Sequence, residues 1–589
     1  MIFGNLKRAF IKFLIYCGIS IWKLLARFGK LNVIKDGLIY PRKQVLNTPK
    51  ADFQESVGKA LISRLKRNLN QNGDFEYLIN GYYSLEGTTK SCGQKSIKLS
   101  EVIENAEAFG SALYNAGLRK GDVVHFLIPT CTNYHYLAFG VWICNGICSL
   151  GDPGLSVSVL KTQLIETNAK FVICYEGSRN TIEKVLEDLD QKVQVVVIES
   201  KNDQDQPIPE SWTYFNDFIK NTSKTDFEVD PFEDDDTAVI FWSSGTTGQP
   251  KGIQHSINTF KYVIGSIEER RPIHNLVGLT TTCFFHIGGF FFPFSIIHEK
   301  HCRIFNHGPD LENADTNEIL FRQIDKFKPS YLMFGSHHLV SLSKAKPKDK
   351  SLDLSSPLIV SPMGSTVPKS LLKDLKENLT SLQVITHMYS MTEIPTLLAL
   401  TLDADYGLGM LGPTVVGKVV DPDTGKICGQ NEVGELMIKS KVAMKGYLNR
   451  PDENAKFFAE DGFLHTGDLV SYNNLGNLEY EGRLKDLIKY KNHHMYPLEI
   501  ENVIFKHPDV VDVGVFGRPE PTVQELVTAL VVKKAGSELT ENDIKHLVAN
   551  TLEDSKHIRG GVLFVDQLPK NPVGKTLRRN LYQVYQQLK

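Results

Sequence analysis

The chain has 589 residues and a formal net charge of −2, and 42% of its residues are hydrophobic and 23% charged. This composition is that of a globular protein, and the length exceeds one ordinary core, so we expect more than one domain. The balanced charge gives no indication of a nucleic-acid partner. The 9 cysteines are scattered without a C-x-x-C pair or zinc-site spacing, which favours reduced thiols in an intracellular protein.

Residues 1–35 differ from the rest of the chain, because they carry Lys and Arg but no Asp or Glu and are rich in apolar residues. Over 8–30 the basic side chains fall on one side of a helical wheel. This pattern predicts a basic amphipathic helix on a membrane surface; the alternatives are a mitochondrial targeting segment, a cleaved secretory signal and a helix packed on the protein's own core. Lys12 and Lys23 leave too few uncharged residues between them for a spanning helix. The ending YQVYQQLK lacks the S-K-L peroxisomal address. From the N-terminal pattern we expect an intracellular, membrane-associated location.

From Leu99 onward, helical and strand-like segments alternate. Periodicity marks one helix and three strands, over 99–118 and over 122–129, 170–177 and 193–200. Such alternation predicts an α/β fold in which helices flank a largely parallel sheet. Helix and strand patterns begin again near 485, with enough chain left for a small α+β domain. We therefore expect a large domain over 36–484 and a small domain over 485–589.

The segment SSGTTGQPKG, residues 243–252, combines hydroxyl side chains, glycines and a lysine. Glycines let backbone N–H groups approach an anion, hydroxyls donate to its oxygens and a lysine supplies countercharge. The apolar stretch TAVIFW, residues 237–242, precedes it and predicts a buried strand. It is not a Walker A loop, since Pro250 stands where that motif needs its second glycine. We predict a polyphosphate site here, with a solvated Ser/Thr/Gly linker as the alternative. The binding residues are Ser243, Ser244, Gly245, Thr246, Thr247, Gly248 and Lys251.

Further motifs follow in chain order. They are TCFFHIGGFFF (282–292), SPMGSTVP (361–368), MYSMTE (388–393), FLHTGDL (463–469), GRLKDLIKYKNHHMYPLEIE (482–501) and LPKNPVGKTLRR (568–579). Together with SSGTTGQPKG they resemble the adenylate-forming superfamily, which contains acyl-CoA synthetases, coumarate-CoA-ligase-like enzymes and beetle luciferases. The resemblance covers roughly residues 75–589. It implies a large AMP-binding domain built from layered helix and sheet subdomains, and a small mobile C-terminal domain.

The resemblance implies a role for several residues on the nucleotide. Tyr389 stacks on adenine, Thr392 donates to a phosphate and Glu393 binds Mg²⁺. These types suit the chemistry, because a flat ring fits a flat base and a hard carboxylate oxygen fits a hard cation. The stretch that contains Gly364 and Ser365 lies along the adenine.

The resemblance also implies roles in the later motifs. Asp468 accepts hydrogen bonds from two ribose hydroxyls, and Arg483 contacts the ribose. Lys485 is the hinge between the two domains, and Lys489 lies near the site of the second reaction step. Lys575, in the C-terminal loop, is the lysine of the adenylation step.

His286 is implied at the carboxylate end of the acyl pocket, and three neighbouring positions depart from the usual pattern. Met388 and Ser390 replace the two glycines of GYG, and Met363 stands where a glycine is usual. Met363 and Met388 add bulk near the acyl pocket, so we expect a narrowed or re-routed pocket. Asn492 replaces a glycine on the path of pantetheine; since Asn tolerates left-handed backbone, we expect thioester formation to be retained but sensitive at this position.

The activity implied is that of an AMP-forming acid–thiol ligase. A carboxylate attacks the α-phosphate of ATP with Mg²⁺ present, which gives an acyl-adenylate and pyrophosphate, and coenzyme A then displaces AMP. The expected partners are a small carboxylic acid, fatty or aromatic, and coenzyme A. Two alternatives stay open: a luciferase-like or other enzyme that passes the adenylate to a different acceptor, and a membrane-bound nucleotide-binding scaffold without catalysis.

The N-terminal prediction can be tested by cell fractionation of the full-length chain and of a 36–589 truncation. We expect the full-length chain with the membranes and the truncation in the soluble fraction, because the basic apolar helix supplies the attachment. Recovery of both in the soluble fraction would contradict the anchor.

Overall fold

A computed structural model describes the greater part of the chain. It covers residues 32–41, 50–80, 96–198, 208–220, 227–243, 250–269, 277–291, 294, 303–306, 316–364, 367, 371–401, 407–412, 414–474, 476–491, 493–570 and 576–588. The amphipathic helix predicted over 8–30 lies outside these residues. No helix within the ranges just given has the length and apolar character needed to cross a membrane.

Two mainly parallel sheets form the centre of the large domain. The first has eight strands, in the spatial order Gly446–Tyr447, Lys251–Ser256, Thr237–Ser243, Ile147–Leu150, Val123–Leu127, Phe171–Tyr175, Gln194–Ile198 and Trp212–Tyr214. Only the first two of these strands pair antiparallel with their neighbours. Helices lie in the connections between four of the parallel strands, Val123–Leu127, Ile147–Leu150, Phe171–Tyr175 and Gln194–Ile198, as parallel pairing requires a crossover.

The second sheet has seven strands. Their spatial order is Val384–Ile385, Ile359–Met363, Tyr331–Gly335, Val277–Thr280, Arg303–Asn306, Glu76–Asn80 and Ser96–Lys98. All pairs are parallel except the last, where Ser96–Lys98 runs antiparallel to Glu76–Asn80.

Helices cover the faces of these sheets. They are Val57–Asn72, Leu99–Asn115, Tyr134–Ile143, Val157–Thr167, Arg179–Glu187, Phe215–Lys220, Ile257–Glu269, Ile287–Phe291, Thr316–Phe327, Ser336–Lys344 and Leu371–Lys376. The first begins at Ser56, whose hydroxyl accepts the N–H of Lys59 at 3.3 Å, and ends at Gly73 with φ +77°. A hydroxyl at the N-cap and a glycine at the C-cap satisfy the backbone groups that a helix leaves open.

The largest core cluster joins residues of both parallel sheets with the helices between them. Its centre is aromatic: the Trp142 ring lies 4.6 Å from the ring of Phe260 and 5.8 Å from that of Phe290, measured between centroids. Phe284 and Phe294 belong to the same cluster and are fully buried. Close packing of this kind fixes the sheets against each other, and with them the ends of the strands.

Two antiparallel sheets complete the large domain. The six-stranded sheet has the order Asn32–Lys35, Leu38–Pro41, Val415–Val420, Gly434–Ser440, Leu464–Tyr472 and Leu478–Arg483, and the three-stranded sheet has the order His387–Met391, Ile394–Thr401 and Met410–Leu411. The helix Pro451–Phe457 begins with a proline at its first turn, a position where the missing N–H costs nothing.

The small domain is built on a five-stranded sheet. Its strands are His493–Met495, Ile488–Tyr490, Gln524–Lys533 and Val510–Glu520 in spatial order, with Gly561–Phe564 parallel to Gln524–Lys533. Its helices are Pro497–Ile504, Glu541–Ala549 and Arg578–Leu588. This domain has a hydrophobic core cluster of its own.

The predicted α/β architecture, with a large N-terminal and a small C-terminal domain, is confirmed. The helix and three strands expected from Leu99 onward occur as Leu99–Asn115, Val123–Leu127, Phe171–Tyr175 and Gln194–Ile198. The division at 484/485 stays a prediction. The alternating pattern did not predict the two antiparallel sheets. Their strands lie within 32–41 and 387–483, outside residues 99–200 where the pattern was clear.

The aromatic core contains His135, whose Nε2 lies 3.3 Å from the carbonyl oxygen of Phe290, and burial lowers the pKa of this ring to about 3. In the unfolded chain it titrates near its ordinary value of about 6.5. Between these values the unfolded state binds more protons, so stability falls as the pH drops through that window. We expect His135→Gln to reduce this pH dependence by up to about 1.4 kcal/mol per pH unit, measured by urea unfolding. The exposed His493→Gln is the control, and equal slopes for both variants would contradict the expectation.

Candidate active site

The predicted phosphate loop starts at the carboxyl end of a central strand. Thr237–Ser243 is a buried strand of the eight-stranded sheet, as TAVIFW predicted, and Ser243 is its last residue. The return strand begins at Lys251 and pairs with it antiparallel. Carboxyl ends of parallel strands are the usual position of ligand sites in such sheets. The remaining loop residues predicted to bind phosphate lie outside the described part of the chain: Ser244, Gly245, Thr246, Thr247 and Gly248.

Asp468 is the centre of a polar cluster that joins two sheets. Only 1% of this residue is exposed. The hydroxyl of Tyr389, from the three-stranded sheet, donates to Oδ2 of Asp468 at 2.6 Å. Nε of Arg483, on the neighbouring strand, lies 2.7 Å from Oδ1, and the hydroxyl of Tyr480 lies 3.5 Å from the same oxygen. The structure thus brings together three residues that were predicted for the nucleotide.

The protonation states in this cluster follow from its burial and charges. Burial and the charge of Asp468 raise the pKa of Tyr389 well above its usual range. The phenol therefore stays protonated and acts as a hydrogen-bond donor to Asp468. Burial works against the charge of Arg483, but attraction to Asp468 outweighs burial and raises the pKa of the guanidinium. The cluster is therefore a fixed carboxylate between a cation and hydroxyl donors, which suits recognition of a polar ligand.

Thr392 and Glu393 form the turn between the strands His387–Met391 and Ile394–Thr401. His255, from the eight-stranded sheet, holds the carbonyl oxygen of Thr392 at 2.8 Å from its Nε2. Burial lowers the pKa of His255 to about 4, so the ring is neutral near pH 7. The hydroxyl of Tyr447 donates to Oε1 of Glu393 at 2.9 Å. The turn is therefore held from the sheet that carries the phosphate loop.

Glu393 has the properties of a ligand for Mg²⁺. Burial raises the pKa of this half-buried carboxyl, and a bound cation favours its charged form. Mg²⁺ in nucleotide sites takes one or two protein carboxylates and completes its shell with phosphate and water oxygens. Among the side chains that the structure describes, no group of three or more His, Cys, Asp or Glu could hold a metal alone. The residues present fit an ion that Glu393 shares with a polyphosphate.

Lys251 lies next to the same turn. Its ammonium pairs with Glu453, on the helix Pro451–Phe457, and lies 5.2 Å from the ring centroid of Tyr447. Burial lowers the pKa of Lys251. Because Tyr447 also holds Glu393, this tyrosine lies between the predicted phosphate lysine and the predicted metal ligand.

The predicted acyl-pocket residues His286 and Met363 meet at Gly288. A Cβ atom on Gly288 would lie 2.6 Å from Cε of Met363 and 3.7 Å from Nδ1 of His286. Met363 ends a strand of the seven-stranded sheet, and Gly364 follows with φ +93°. Met388 lies on the strand His387–Met391, which contacts the strand of Met363. Ser365 lies outside the described residues.

The residues predicted for the small domain are only partly covered. Lys485 lies in the turn Leu484–Asp486, between the last strand of the large domain and the first strand of the small one. Lys489 is exposed on Ile488–Tyr490. Lys575 and Asn492 lie outside the described residues.

Comparison with known proteins identifies the family. Residues 65–448 match the family model described as AMP-binding enzyme, and residues 499–575 match the one described as AMP-binding enzyme C-terminal domain. The first match alone covers more than half of the chain. The chain belongs to the AMP-binding enzyme family.

Individual relatives of known family agree with this result. The chain is 28% identical over 533 residues to 4-coumarate-CoA ligase 1 of Narcissus pseudonarcissus, covering 87% of this chain and 92% of the relative. It is 27% identical over 499 residues to luciferin 4-monooxygenase of Nipponoluciola cruciata, covering 81% and 87%. This AMP-binding enzyme is therefore a member of the adenylate-forming superfamily, as its motifs predicted.

Solved structures share the fold. An anthranilate CoA ligase, AuaEII, in complex with anthranoyl-AMP superposes with a TM-score of 0.77 at 21% identity, over 90% of this chain and 97% of that one. ATP-bound MatB from Rhodopseudomonas palustris superposes with a TM-score of 0.72 at 22% identity, over 87% and 100%.

Sequence reasoning missed the residues that hold the site of this AMP-binding enzyme in position. Tyr447 is 54 residues from Glu393, and His255 is 137 residues from Thr392. Local periodicity carries no information about contacts at such separations. Near Tyr447 the sequence shows a turn before the helix that starts at Pro451. A turn of this kind does not predict a contact with Glu393.

The hydrogen bond of Tyr389 to Asp468 predicts unequal effects of two tyrosine substitutions. We expect Tyr389→Phe to lower the free energy of unfolding by about 1.5–3 kcal/mol, because a buried carboxylate loses a charge-assisted donor. Tyr480→Phe is the matched control; its longer contact with Asp468 predicts a loss below about 0.5 kcal/mol. Urea unfolding measures both, and equal losses would contradict the expectation.

Proposed function

We propose that this AMP-binding enzyme is an ATP-dependent carboxylic acid:CoA ligase, which first forms an acyl-adenylate and pyrophosphate, and then acyl-CoA and AMP. The observation that supports it most is the buried carboxylate of Asp468, held between Arg483 and Tyr389 beside the turn of Glu393. The similarity to coumarate, benzoate and anthranilate CoA ligases supports the same class.

In this proposal the nucleotide lies across the Asp468 cluster. Asp468 accepts hydrogen bonds from the ribose hydroxyls, and Arg483 keeps that carboxylate charged. The ring of Tyr389 stacks on adenine, and its hydroxyl bond to Asp468 fixes the distance between the adenine and ribose subsites. Thr392 and the 243–251 loop donate to the phosphates.

In the first half-reaction, a carboxylate oxygen of the acid forms a bond to the α-phosphorus while the bond to the β-phosphate oxygen breaks, and pyrophosphate leaves. Two anions must approach each other, so the chain has to supply positive charge and aimed donors. Lys575 acts at the reacting centre and Lys251 near the departing phosphates. When bound at Glu393, Mg²⁺ supplies further neutralisation of phosphate charge.

In the second half-reaction, the thiol of coenzyme A attacks the acyl carbonyl carbon, the bond to the AMP oxygen breaks and the thiol proton is released. The small domain rotates about Lys485 between the two steps, a common use of a short hinge. Lys489, exposed on the first strand of the small domain, lies near the thiol in the second step.

The acid is proposed to be fatty or aromatic. Its carboxylate lies near His286, and its apolar part extends past Met363 and Gly288 toward the phenylalanines of the core, which include Phe290 and Phe291. Apolar walls with one polar end suit a hydrophobic acid. The protein is proposed to act inside the cell at a membrane surface through 8–30, with a mitochondrial location as the alternative.

A second candidate is an enzyme that passes the adenylate to an acceptor other than coenzyme A. The similarity to luciferin 4-monooxygenase at 27% identity supports it, and Asn492 at the thiol path is consistent with it. The two candidates share the first half-reaction and differ in the second.

ATP–pyrophosphate exchange over a panel of fatty and aromatic acids tests the proposal, with a parallel assay for acyl-CoA. We expect acid-dependent exchange and a thioester product. Lys575→Ala should lower exchange on the order of 10²–10³-fold, whereas Lys570→Ala, a lysine paired with Asp512 at 2.7 Å, should leave it within about threefold. Exchange without thioester would favour the second candidate, and no exchange with any acid would favour a non-catalytic nucleotide-binding scaffold.

The bulk at Met388 predicts a restriction on the acid. We expect the wild-type enzyme to prefer short or compact acids, and Met388→Gly to raise kcat/KM for longer chains by about tenfold, because one or two methylenes change binding by that order. Ser390→Gly, the neighbouring departure from glycine, is the control and should not change the profile. A wild-type preference for long, bulky acids without a gain in Met388→Gly would contradict the narrowed pocket.

A further inference from the structure

We propose that Glu435 is a positioning residue for nucleotide binding: it holds the backbone turn that aims Asp468 at the ribose. This inference rests on the proposed function, because it takes Asp468 as the ribose ligand. None of the sequence motifs singled out Glu435.

Asp468 lies in a wide bulge of the six-stranded sheet. Where the strands Gly434–Ser440 and Leu464–Tyr472 pair, three residues, Thr466 to Asp468, stand opposite Leu436 alone. Gly467, in the middle, has φ +67°, a conformation that disfavours any residue with a Cβ. A bulge changes the direction of the following side chain and leaves backbone groups without ladder partners.

The carboxylate of Glu435 accepts a hydrogen bond from a backbone N–H in this bulge. Its Oε1 accepts the N–H of Gly467 at 2.9 Å, and its Oε2 lies 2.9 Å from Nδ1 of His465. The carboxylate therefore binds both sides of the turn that begins at His465. Only 7% of Glu435 is exposed.

Thr466 completes the arrangement. Its hydroxyl donates to the carbonyl oxygen of Leu436 at 2.6 Å and accepts the N–H of Asp468 at 3.0 Å. With the bulge held in this way, Asp468 stands directly opposite Arg483 in the next strand pair. The bulge has two residues more than the facing strand, an even number that keeps the alternation of faces, so what it sets is the local direction of the backbone before Asp468.

The burial of the Glu435 carboxylate has to be explained, because burying a charge costs free energy. If the position served only core packing, an apolar residue would avoid the desolvation cost of a charge. Both carboxylate oxygens of Glu435 contact the turn before Asp468, one at Gly467 and the other at His465. The geometry is that of a support for a binding residue, which must be held within a fraction of an ångström to work.

The test measures nucleotide binding directly, so that it depends on neither the acid nor coenzyme A. Equilibrium dissociation constants of ATP and of 2′,3′-dideoxy-ATP are determined by calorimetry for the wild type, Glu435→Gln, Glu435→Ala and Glu432→Gln. Glu432 is a matched control, since it is an exposed carboxylate that accepts the N–H of Gly429 at 2.6 Å in a nearby turn.

We expect the wild type and Glu432→Gln to bind ATP about tenfold or more tightly than the dideoxy analogue, since hydrogen bonds to a charged group have that worth. Glu435→Gln should reduce this ratio about threefold, because an amide cannot accept from both sides, and Glu435→Ala should bring it near one. In an Asp468→Ala background, Glu435→Ala should change the ATP dissociation constant less than about twofold.

An unchanged ratio in Glu435→Gln would overturn the inference, and so would additive effects of the two alanine substitutions. Thermal unfolding of each variant separates a folding defect from a loss of ribose preference; if Glu435→Ala does not fold, the ratio in Glu435→Gln decides. Absence of ATP binding by the wild type would overturn the proposed function as well as this inference.

Discussion

The proposed nucleotide site depends on one buried negative charge. Asp468 is almost completely withdrawn from solvent, and the opposite charge of Arg483 and the hydroxyl of Tyr389 stabilise its carboxylate there. Tyr389 belongs to the three-stranded sheet, whereas Asp468 and Arg483 belong to the six-stranded one. The charge therefore ties two sheets together at the point where the ligand is proposed to bind.

The rest of the large domain keeps this point in place. The aromatic core fixes the two parallel sheets against each other, and from the eight-stranded sheet His255 and Tyr447 reach the turn of Thr392 and Glu393. Residues of the eight-, six- and three-stranded sheets thus meet in one region. Each contact joins two residues that are far apart in the sequence. Such convergence on a rigid frame is what catalysis by positioning requires.

Local patterns predicted the parts of this arrangement that depend on neighbours in sequence. The helix at Leu99–Asn115 and the strand at Thr237–Ser243 follow from periodicity and apolar runs. The support of Gly467 by Glu435, 32 residues away, could not be predicted, because nothing in either segment specifies its partner in a different strand. The roles of the site residues stay predictions from the resemblance, and Ser244 to Gly248, Ser365 and Lys575 among them lie outside the described residues.

Gly288 and Met363 share one small volume, since a side chain at 288 would overlap the thioether methyl at 363. A side chain at 288 would require the flexible thioether end of Met363 to move, and a shorter residue at 363 would make room for it. Among relatives of different acid specificity, the sizes of these two residues should therefore vary in opposite directions, with their sum nearly constant. Engineering of the acyl pocket has to treat the pair as a single variable.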